Sequence, residues 1–443
     1  MSIPRRGDAR DNTGMTSRFP ADSDTRIATL SNGVRVLALQ LPHVDSVQIS
    51  VFVRTGSRHE SKALNGISHV VEHMAFKGTH ERTCQQINLD AERLGADVNA
   101  HTDKDHTAYH MRGLARDAGR FVRMLGDIVR NSTFPEAELE RERQVILHEY
   151  TEDEDDPLST AYKLFDKMCF GTHPLAQPVI GTRRNIERFT RDDLLGYVER
   201  QYSADNVVVG IAGNIDPEAM FREAEAAFGS MPRGPENLVD APAYVGGVAS
   251  KRQPGFSQTH LVLGFPIPTL REDHQAALVA AALFGDGMSS PLMDEIRERR
   301  GLAYYAACSA DVFDLSGQCV IEASTSPAQL HECVTEISRL LAAQAASVDP
   351  VDLERARNQI AVRQMRTHER PVRRLEAAVQ DLYVFGRVRP RAELAAGIDG
   401  VTADQVRESF ARMLGSQAAV AVAGKVPAGT NDRIGDLITR ATA

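Results

Sequence analysis

Residues 65–79 read NGISHVVEHMAFKGT. Within this stretch His69-Val70-Val71-Glu72-His73 sets two histidines four positions apart. On a helix that spacing stacks both imidazoles on one face, one turn apart. Two imidazoles converging there suit a tetrahedral cation such as zinc. Glu72 stands three residues from His69 and next to His73. From that position a carboxylate can sit beside a metal without ligating it and take a proton from an attacking water. The pattern HxxEH is the inverted form of the HExxH zinc-protease signature. A bare HxxEH also arises by chance on helices that carry two satisfied histidines, so other segments must supply the rest of a site.

A catalytic zinc takes three protein ligands and keeps one position open. Residues 134–152, FPEAELERERQVILHEYTE, offer Glu140, Glu142 and Glu149. The spacing predicts a long helix over 135–150, with Pro135 near its first turn. Glu142 and Glu149 share a face two turns apart, about 10 Å by helical rise. One zinc does not take both, so one is a ligand and the other orients a histidine. Spacing alone does not choose between them. Glu140 reads as part of a solvated face of Glu–Arg pairs. His148 lies about 100° around the helix from Glu149 and is set aside as a ligand.

Working outward, residues 25–36 open as a hairpin, because Ser31-Asn32-Gly33 sits between alternating apolar runs. Residues 47–53 read as a strand, 66–75 and 84–94 as helices, and 97–113 as paired strands. An amphipathic helix follows over 117–130, and VVVGIAG at 207–213 reads as a buried strand. Residues 229–258 are rich in Gly and Pro and read as a linker. The pattern then restarts: a strand at 260–265, helices at 274–284 and 291–299, strands at 303–310 and 317–324, and a helix at 327–346. The expectation is an α+β fold of two similar domains, each a mixed or antiparallel sheet covered by helices. The boundaries expected are a disordered polar leader at 1–22, a zinc-binding domain at 23–229, a linker at 230–257, and a second domain at 258–443 without the zinc motif.

Composition narrows the function classes. The 443 residues carry 51 Lys plus Arg against 60 Asp plus Glu, for a net charge of −9. A chain this acidic is a poor general nucleic-acid binder. The longest apolar run, AALVAAALF at 276–284, is about half of what a spanning helix needs. The first residues lack the apolar core of a secretory signal, and their aspartates argue against a transit peptide, so the cytoplasm is the expected compartment. The five cysteines are scattered without CxxC spacing and read as reduced, mostly buried thiols. The acidic run 152–156 reads as a solvated turn. GDGMSS at 285–290 lacks the lysine of a phosphate loop and reads as a turn between helices. His101, His106 and His110 read as polar strand positions near the cleft, in preference to a second metal site.

Several further segments join the first. They are Gly56-Ser57-Arg58-His59-Glu60, Asn99-Ala100-His101-Thr102, Glu142-Arg143 with Glu149, Gly171-Thr172-His173-Pro174, Gly181-Thr182, and Arg297 with Gly301-Leu302-Ala303-Tyr304. Together with 65–79 they make the chain, from about 26 to 424, closely resemble the pitrilysin (M16) zinc peptidases. The nearest likeness is to the half-length branch that includes bacterial relatives of the mitochondrial processing peptidase β subunit. The resemblance implies that His69, His73 and Glu149 bind one zinc per chain and that Glu72 is the general base. It makes Glu142 the supporting acidic residue. It implies that Arg297 and Tyr304 hold substrate and stabilise the oxyanion, and that Asn99 and Ala100 lie on the strand that pairs with substrate. It also implies half of a clamshell chamber, closed by a homodimer or with a heteromeric partner, that encloses peptides or unfolded segments. The rival reading is a non-catalytic scaffold or presequence-binding subunit.

Overall fold

The chain turns back on itself at Asn32-Gly33, and the flanking apolar runs pair as β1 (Thr25–Thr29) and β2 (Arg35–Gln40). The structure, a computed structural model, describes residues 24–442, with side chains placed through 438. The expected leader at 1–22 lies outside the described residues.

The first sheet adds β3 (Ser46–Val53), β4 (Asp97–Thr102), β5 (Thr107–Leu114) and β6 (Val207–Gly213), in the order β1-β2-β6-β3-β5-β4. β6 is buried along its whole length and pairs parallel to β2 and antiparallel to β3, so the sheet is mixed. A run of Val, Ile and Gly with no polar side chain is what a strand covered on both faces requires. β4 has β5 as its one partner and forms a free edge.

The second sheet comprises β7 (Gly247–Arg252), β8 (Thr259–Pro266), β9 (Ala303–Val312), β10 (Gly317–Thr325) and β11 (Ala419–Gly424), in the order β7-β11-β8-β10-β9. It too is mixed, through the parallel β7–β11 pair. β7 lies inside the stretch read as a linker. Its own sequence, GVASKR, is too polar to signal a strand, and it forms because β11 supplies the hydrogen-bonding partner.

Each half lends a helix to the other. α3 (Pro157–Phe170) belongs to the first half of the chain, yet its Ala161, Phe165 and Cys169 pack on Val262, Val320, Ala419 and Ala421 of the second sheet. Reciprocally, α4 (Pro371–Phe385) sets Leu375, Ala378, Val379 and Leu382 against Leu37, Leu39, Phe52 and Val208 of the first sheet. The two sheets are therefore interlocked and not merely tethered. Leu375→Ala, at a fully buried position, is expected to cost about 2–5 kcal/mol. Because it opens the shared core, both halves should melt in one transition, which calorimetry checks.

The acidic run 152–156 departs from the sequence reading. Residues 152–155 form the last turn of the helix Glu136–Asp155. Glu154 bonds Lys163 at 2.7 Å and Lys251 at 2.9 Å, and Asp153 pairs with Lys163 as well. The run is held by lysines from α3 and β7, and the second of these, Lys251, lies 97 residues from Glu154. Four of the five cysteines are buried. Among the described residues no helix is long and apolar enough to cross a membrane.

Candidate metal centre

Two helices carry the chemistry: α1 (Ile67–Ala75) and α2 (Glu136–Asp155). α1 begins after Gly66, whose φ of 99° lies in the left-handed region. A Cβ on Gly66 would stand 2.8 Å from the Cα of Gly181, and one on Gly181 would stand 2.5 Å from the Cα of Gly66. Backbone touches backbone here, so both positions need glycine.

Glu60 caps the same end. Its Oε2 accepts from the Gly66 N–H at 2.8 Å and from Asn65 Nδ2 at 3.0 Å, and its Oε1 accepts from the Ser68 N–H at 2.8 Å. A carboxylate suits the positive end of a helix. Burial pushes this carboxyl up, and the bonds from Ser68, Gly66 and Asn65 oppose it. Tyr197 fixes the next residue, with its hydroxyl 2.7 Å from Ser68 Oγ and 2.7 Å from Thr55 Oγ1. Sequence reasoning quoted Glu60 as part of a motif and gave it no role. A lone acidic residue seven positions ahead of a helix, across a turn, has no local signature of capping.

The apolar residues Val70, Val71 and Met74 of α1 share a buried cluster with Leu139 and Ile146 of α2. That packing turns His69 and His73 toward the two glutamates. Glu149 Oε2 lies 3.7 Å from His69 Nε2 and 3.4 Å from His73 Nε2. Glu142 Oε2 lies 3.2 Å from the other nitrogen of His73, Nδ1, and its Oε1 is 2.6 Å from Lys77 Nζ. The structure thus separates the glutamates that spacing left equivalent. Glu149 meets the two Nε2 atoms, and Glu142 sits behind His73 with Lys77 behind it.

The donor set fits zinc. His69, His73 and Glu149 each offer one ligand atom within 4.8 Å of the others. Bonds of 2.0–2.1 Å to one tetrahedral zinc put neighbouring donors about 3.3 Å apart, close to the separations seen. Burial, with His73 adding to it, lowers His69 to about 4 and leaves its imidazole neutral, the form that ligates. The His73 imidazole, flanked by Glu142, has the carboxylate–histidine arrangement that orients metal ligands.

Glu72 shares a cleft of about 480 Å³ with His69, Glu149, Ala100 and Thr102. Burial raises its carboxyl pKa, while the hydroxyl and backbone of Thr102 and the charge of His73 act against that rise. Asn99 and Ala100 stand on the free edge β4. There the Ala100 N–H has no strand partner and donates to Asn99 Oδ1 at 2.8 Å. Arg297 and Tyr304 are not brought to this cleft. The Arg297 guanidinium lies over the Tyr304 ring at 5.4 Å. Tyr304 is 79% exposed on β9, the free edge of the second sheet. His148 points away, 3.3 Å from Glu152, and Glu140 pairs with Arg143.

The family model "Insulinase (Peptidase family M16)" matches residues 35–183, and "Peptidase M16 inactive domain" matches residues 188–360. A relative from Rickettsia bellii is 35% identical over 401 residues, which cover 90% of this chain and 97% of the relative. The chain belongs to peptidase family M16. The Rickettsia relative bears the name uncharacterized zinc protease. So does one from Bacillus subtilis, 31% identical over 389 residues, covering 87% of this chain and 94% of that one. The two-domain α+β fold of this M16 chain is shared with a protease from Helicobacter pylori. That crystal structure superimposes with a TM-score of 0.83 at 20% identity, covering 90% of this chain and 99% of the other.

Two further histidines, both half-buried, are expected to make this chain acid-sensitive. His59 Nδ1 accepts from the Gly56 N–H at 3.1 Å. Burial, aided by Arg58 and Arg54, lowers His59 to about 3. Burial, with His101 and His106 adding to it, lowers His110 to about 3. Unfolded, both titrate near 6.5, about the free-histidine value. Between these limits the unfolded chain binds more protons, so stability is full above about 6.5 and is lost as pH falls toward about 3. Melts of metal-free protein at pH 7.5 and 4.5 are expected to show a lower Tm at 4.5.

Proposed function

We propose that this chain is a zinc metallo-endopeptidase of the HxxEH type, holding one zinc per chain and hydrolysing peptides or unfolded segments. The observation that carries this is the convergence of His69 Nε2, His73 Nε2 and Glu149 Oε2, with Glu72 in the same cleft beside a free strand edge. His69, His73 and Glu149 would hold the zinc. Bound there, zinc polarises a scissile carbonyl and brings the pKa of water toward neutrality. Glu72 takes the proton from the attacking water and returns it to the leaving amine. β4 receives the substrate as an added strand. Main-chain bonds to an extended chain favour unfolded segments over folded proteins. The Ala100 N–H is available for such a bond once Asn99 releases it.

Arg297 and Tyr304 enter from a second copy. In this reading two chains face each other as halves of a chamber, and the exposed Tyr304 of one reaches the metal centre of the other, where its hydroxyl donates to the oxyanion. Their separation from the cleft within one chain and the exposure of Tyr304 support this arrangement.

The activity is tested with unstructured peptides, with and without a chelator. Cleavage should stop on chelation and return with added zinc. Cleavage that survives both chelation and Glu72→Gln would falsify the mechanism. The shared site is tested by mixing. Glu72→Gln and Tyr304→Phe chains are each expected to be poorly active. A statistical mixture of dimers should recover about a quarter of wild-type activity, because half the dimers are mixed and each rebuilds one intact site. No recovery on mixing would place Tyr304 in its own chain's site or outside any site.

A further inference from the structure

The strand that borders the metal centre carries a second cluster of histidines at its C-terminal end, and His101 of that cluster also lines the cleft of Glu72. His101 is the next-to-last residue of β4, His106 closes the turn into β5, and His110 lies on β5. Their ring nitrogens form a continuous line. Ser50 Oγ is 2.8 Å from His110 Nδ1, and His110 Nε2 is 2.9 Å from His101 Nδ1. His101 Nε2 is 3.3 Å from His106 Nε2, and His106 Nδ1 is 3.2 Å from Asp103 Oδ2.

The outer link at Asp103 is determined by chemistry. An ionised carboxylate only accepts, so His106 carries its proton on Nδ1 and presents a bare lone pair at Nε2. His101 Nδ1 is engaged by His110. What remains is the space between the two Nε2 atoms. At 3.3 Å it is longer than the usual N–H hydrogen bond of about 2.9–3.0 Å. It matches the span of about 3.3 Å between neighbouring donors on a tetrahedral first-row cation with bonds of 2.0–2.1 Å. Both imidazoles already have the outer partners that metal-ligating histidines require: Asp103 on one and the Ser50-anchored His110 on the other.

Asp103 itself is held rigidly, with Oδ1 accepting from the backbone N–H groups of Asp105 at 2.6 Å and His106 at 2.7 Å. One atom each from His101, Asp103 and His106 lies within 4.8 Å of the others. The cluster opens on a cavity of about 400 Å³, bounded across the way by Arg373, Glu376 and Tyr383 of α4. A cation can therefore enter, and water can complete its coordination.

We propose that His101 and His106, supported by Asp103, form a second divalent-metal site, separate from the His69/His73/Glu149 centre. Imidazole ligation selects a borderline first-row ion such as Zn2+, Co2+ or Ni2+. The metal takes the place of the proton that otherwise lies between the two Nε2 atoms; His101 then carries its proton on Nδ1 and donates it to His110 Nε2, and His110 carries its own on Nδ1 toward Ser50 Oγ, so each ring stays neutral. The site clamps the β4–β5 turn one residue from Thr102, which lines the cleft with Glu72. Occupancy therefore stiffens the edge strand that borders the cleft.

The test uses Co2+ and the full chain. Wild type should take up two equivalents, read by calorimetry and by the visible spectrum. A His69→Ala/His73→Ala variant, which lacks the first centre, should keep one equivalent. Adding His106→Ala to that variant should weaken the remaining binding at least about tenfold, and adding Asp103→Asn should weaken it by about 10- to 100-fold. If His106→Ala lowers expression, His106→Gln serves, with the melting curve as a check on folding. No Co2+ bound by the His69→Ala/His73→Ala variant, or binding that the His106 substitution leaves unchanged, overturns the proposal. The rings would then share a proton only. Because the first centre is absent from the decisive variant, its failure as a protease and the failure of this site are read separately.

Discussion

Glu72→Gln is expected to lower turnover of an unstructured peptide by about 10²- to 10⁴-fold, the range that a positioned general base supplies. The same variant should keep its full zinc content, because the three atoms that converge are His69 Nε2, His73 Nε2 and Glu149 Oε2, and Glu72 is not among them. Stability should hold or rise slightly. Burial already disfavours the Glu72 carboxylate, so a neutral amide of the same shape removes a desolvation cost. Loss of activity with metal and Tm intact is the signature of a missing base. Metal analysis, circular dichroism melts and a fluorogenic peptide give all three readouts on one preparation. Loss of zinc in Glu72→Gln would instead make Glu72 a ligand and overturn the assignment.

The second large effect separates Glu149 from Glu142. Glu149→Gln removes the carboxylate that faces both Nε2 atoms. It should empty the His69/His73 centre of zinc at micromolar concentration and abolish cleavage, because two imidazoles alone leave the ion one ligand short of a catalytic site. Glu142→Gln should retain the ion and bind it about 10- to 100-fold more weakly, the usual result of losing a carboxylate behind a ligating histidine. Lys77 sharpens the contrast. It lies 2.6 Å from Glu142, so Glu142→Gln also strands a half-buried ammonium, and a companion Lys77→Met change should recover part of the stability lost. Zinc titrations against a competing chelator measure both affinities. Equal losses for the two glutamates would mean that the distinction drawn from the geometry is wrong.

How much of this was legible beforehand can be followed residue by residue. His69, Glu72 and His73 were readable because i, i+4 spacing fixes two side chains on one helical face whatever the rest of the fold does. The element types along 25–131 were readable for a similar reason, since apolar periodicity and Asn-Gly turns act locally. β7 was not readable, because its polar sequence becomes a strand only beside β11. The destinations of α3 and α4 were not readable either. An amphipathic helix announces that it has an apolar face and says nothing about which sheet will cover it. Glu60 and Gly181 were equally silent, since their partners lie across a turn or more than a hundred residues away.

The sequence by itself determined the chemistry on offer: a helix with two imidazoles and a carboxylate on one face, and a second helix with two glutamates seven residues apart. It also determined that only the first half carries that motif. Tertiary structure decided the rest. It placed Glu149 at both Nε2 atoms and Glu142 at the Nδ1 of His73, because the packing of α1 on α2 sets the axial offset between them. It left Tyr304 exposed on an edge strand away from the cleft, and it drew His101, His106 and Asp103 together around the β4–β5 turn. The physical reason is range. Helical and strand periodicities are fixed by neighbours within a few residues, whereas the identity of a ligand depends on angstrom-scale offsets between elements that only the packed core sets.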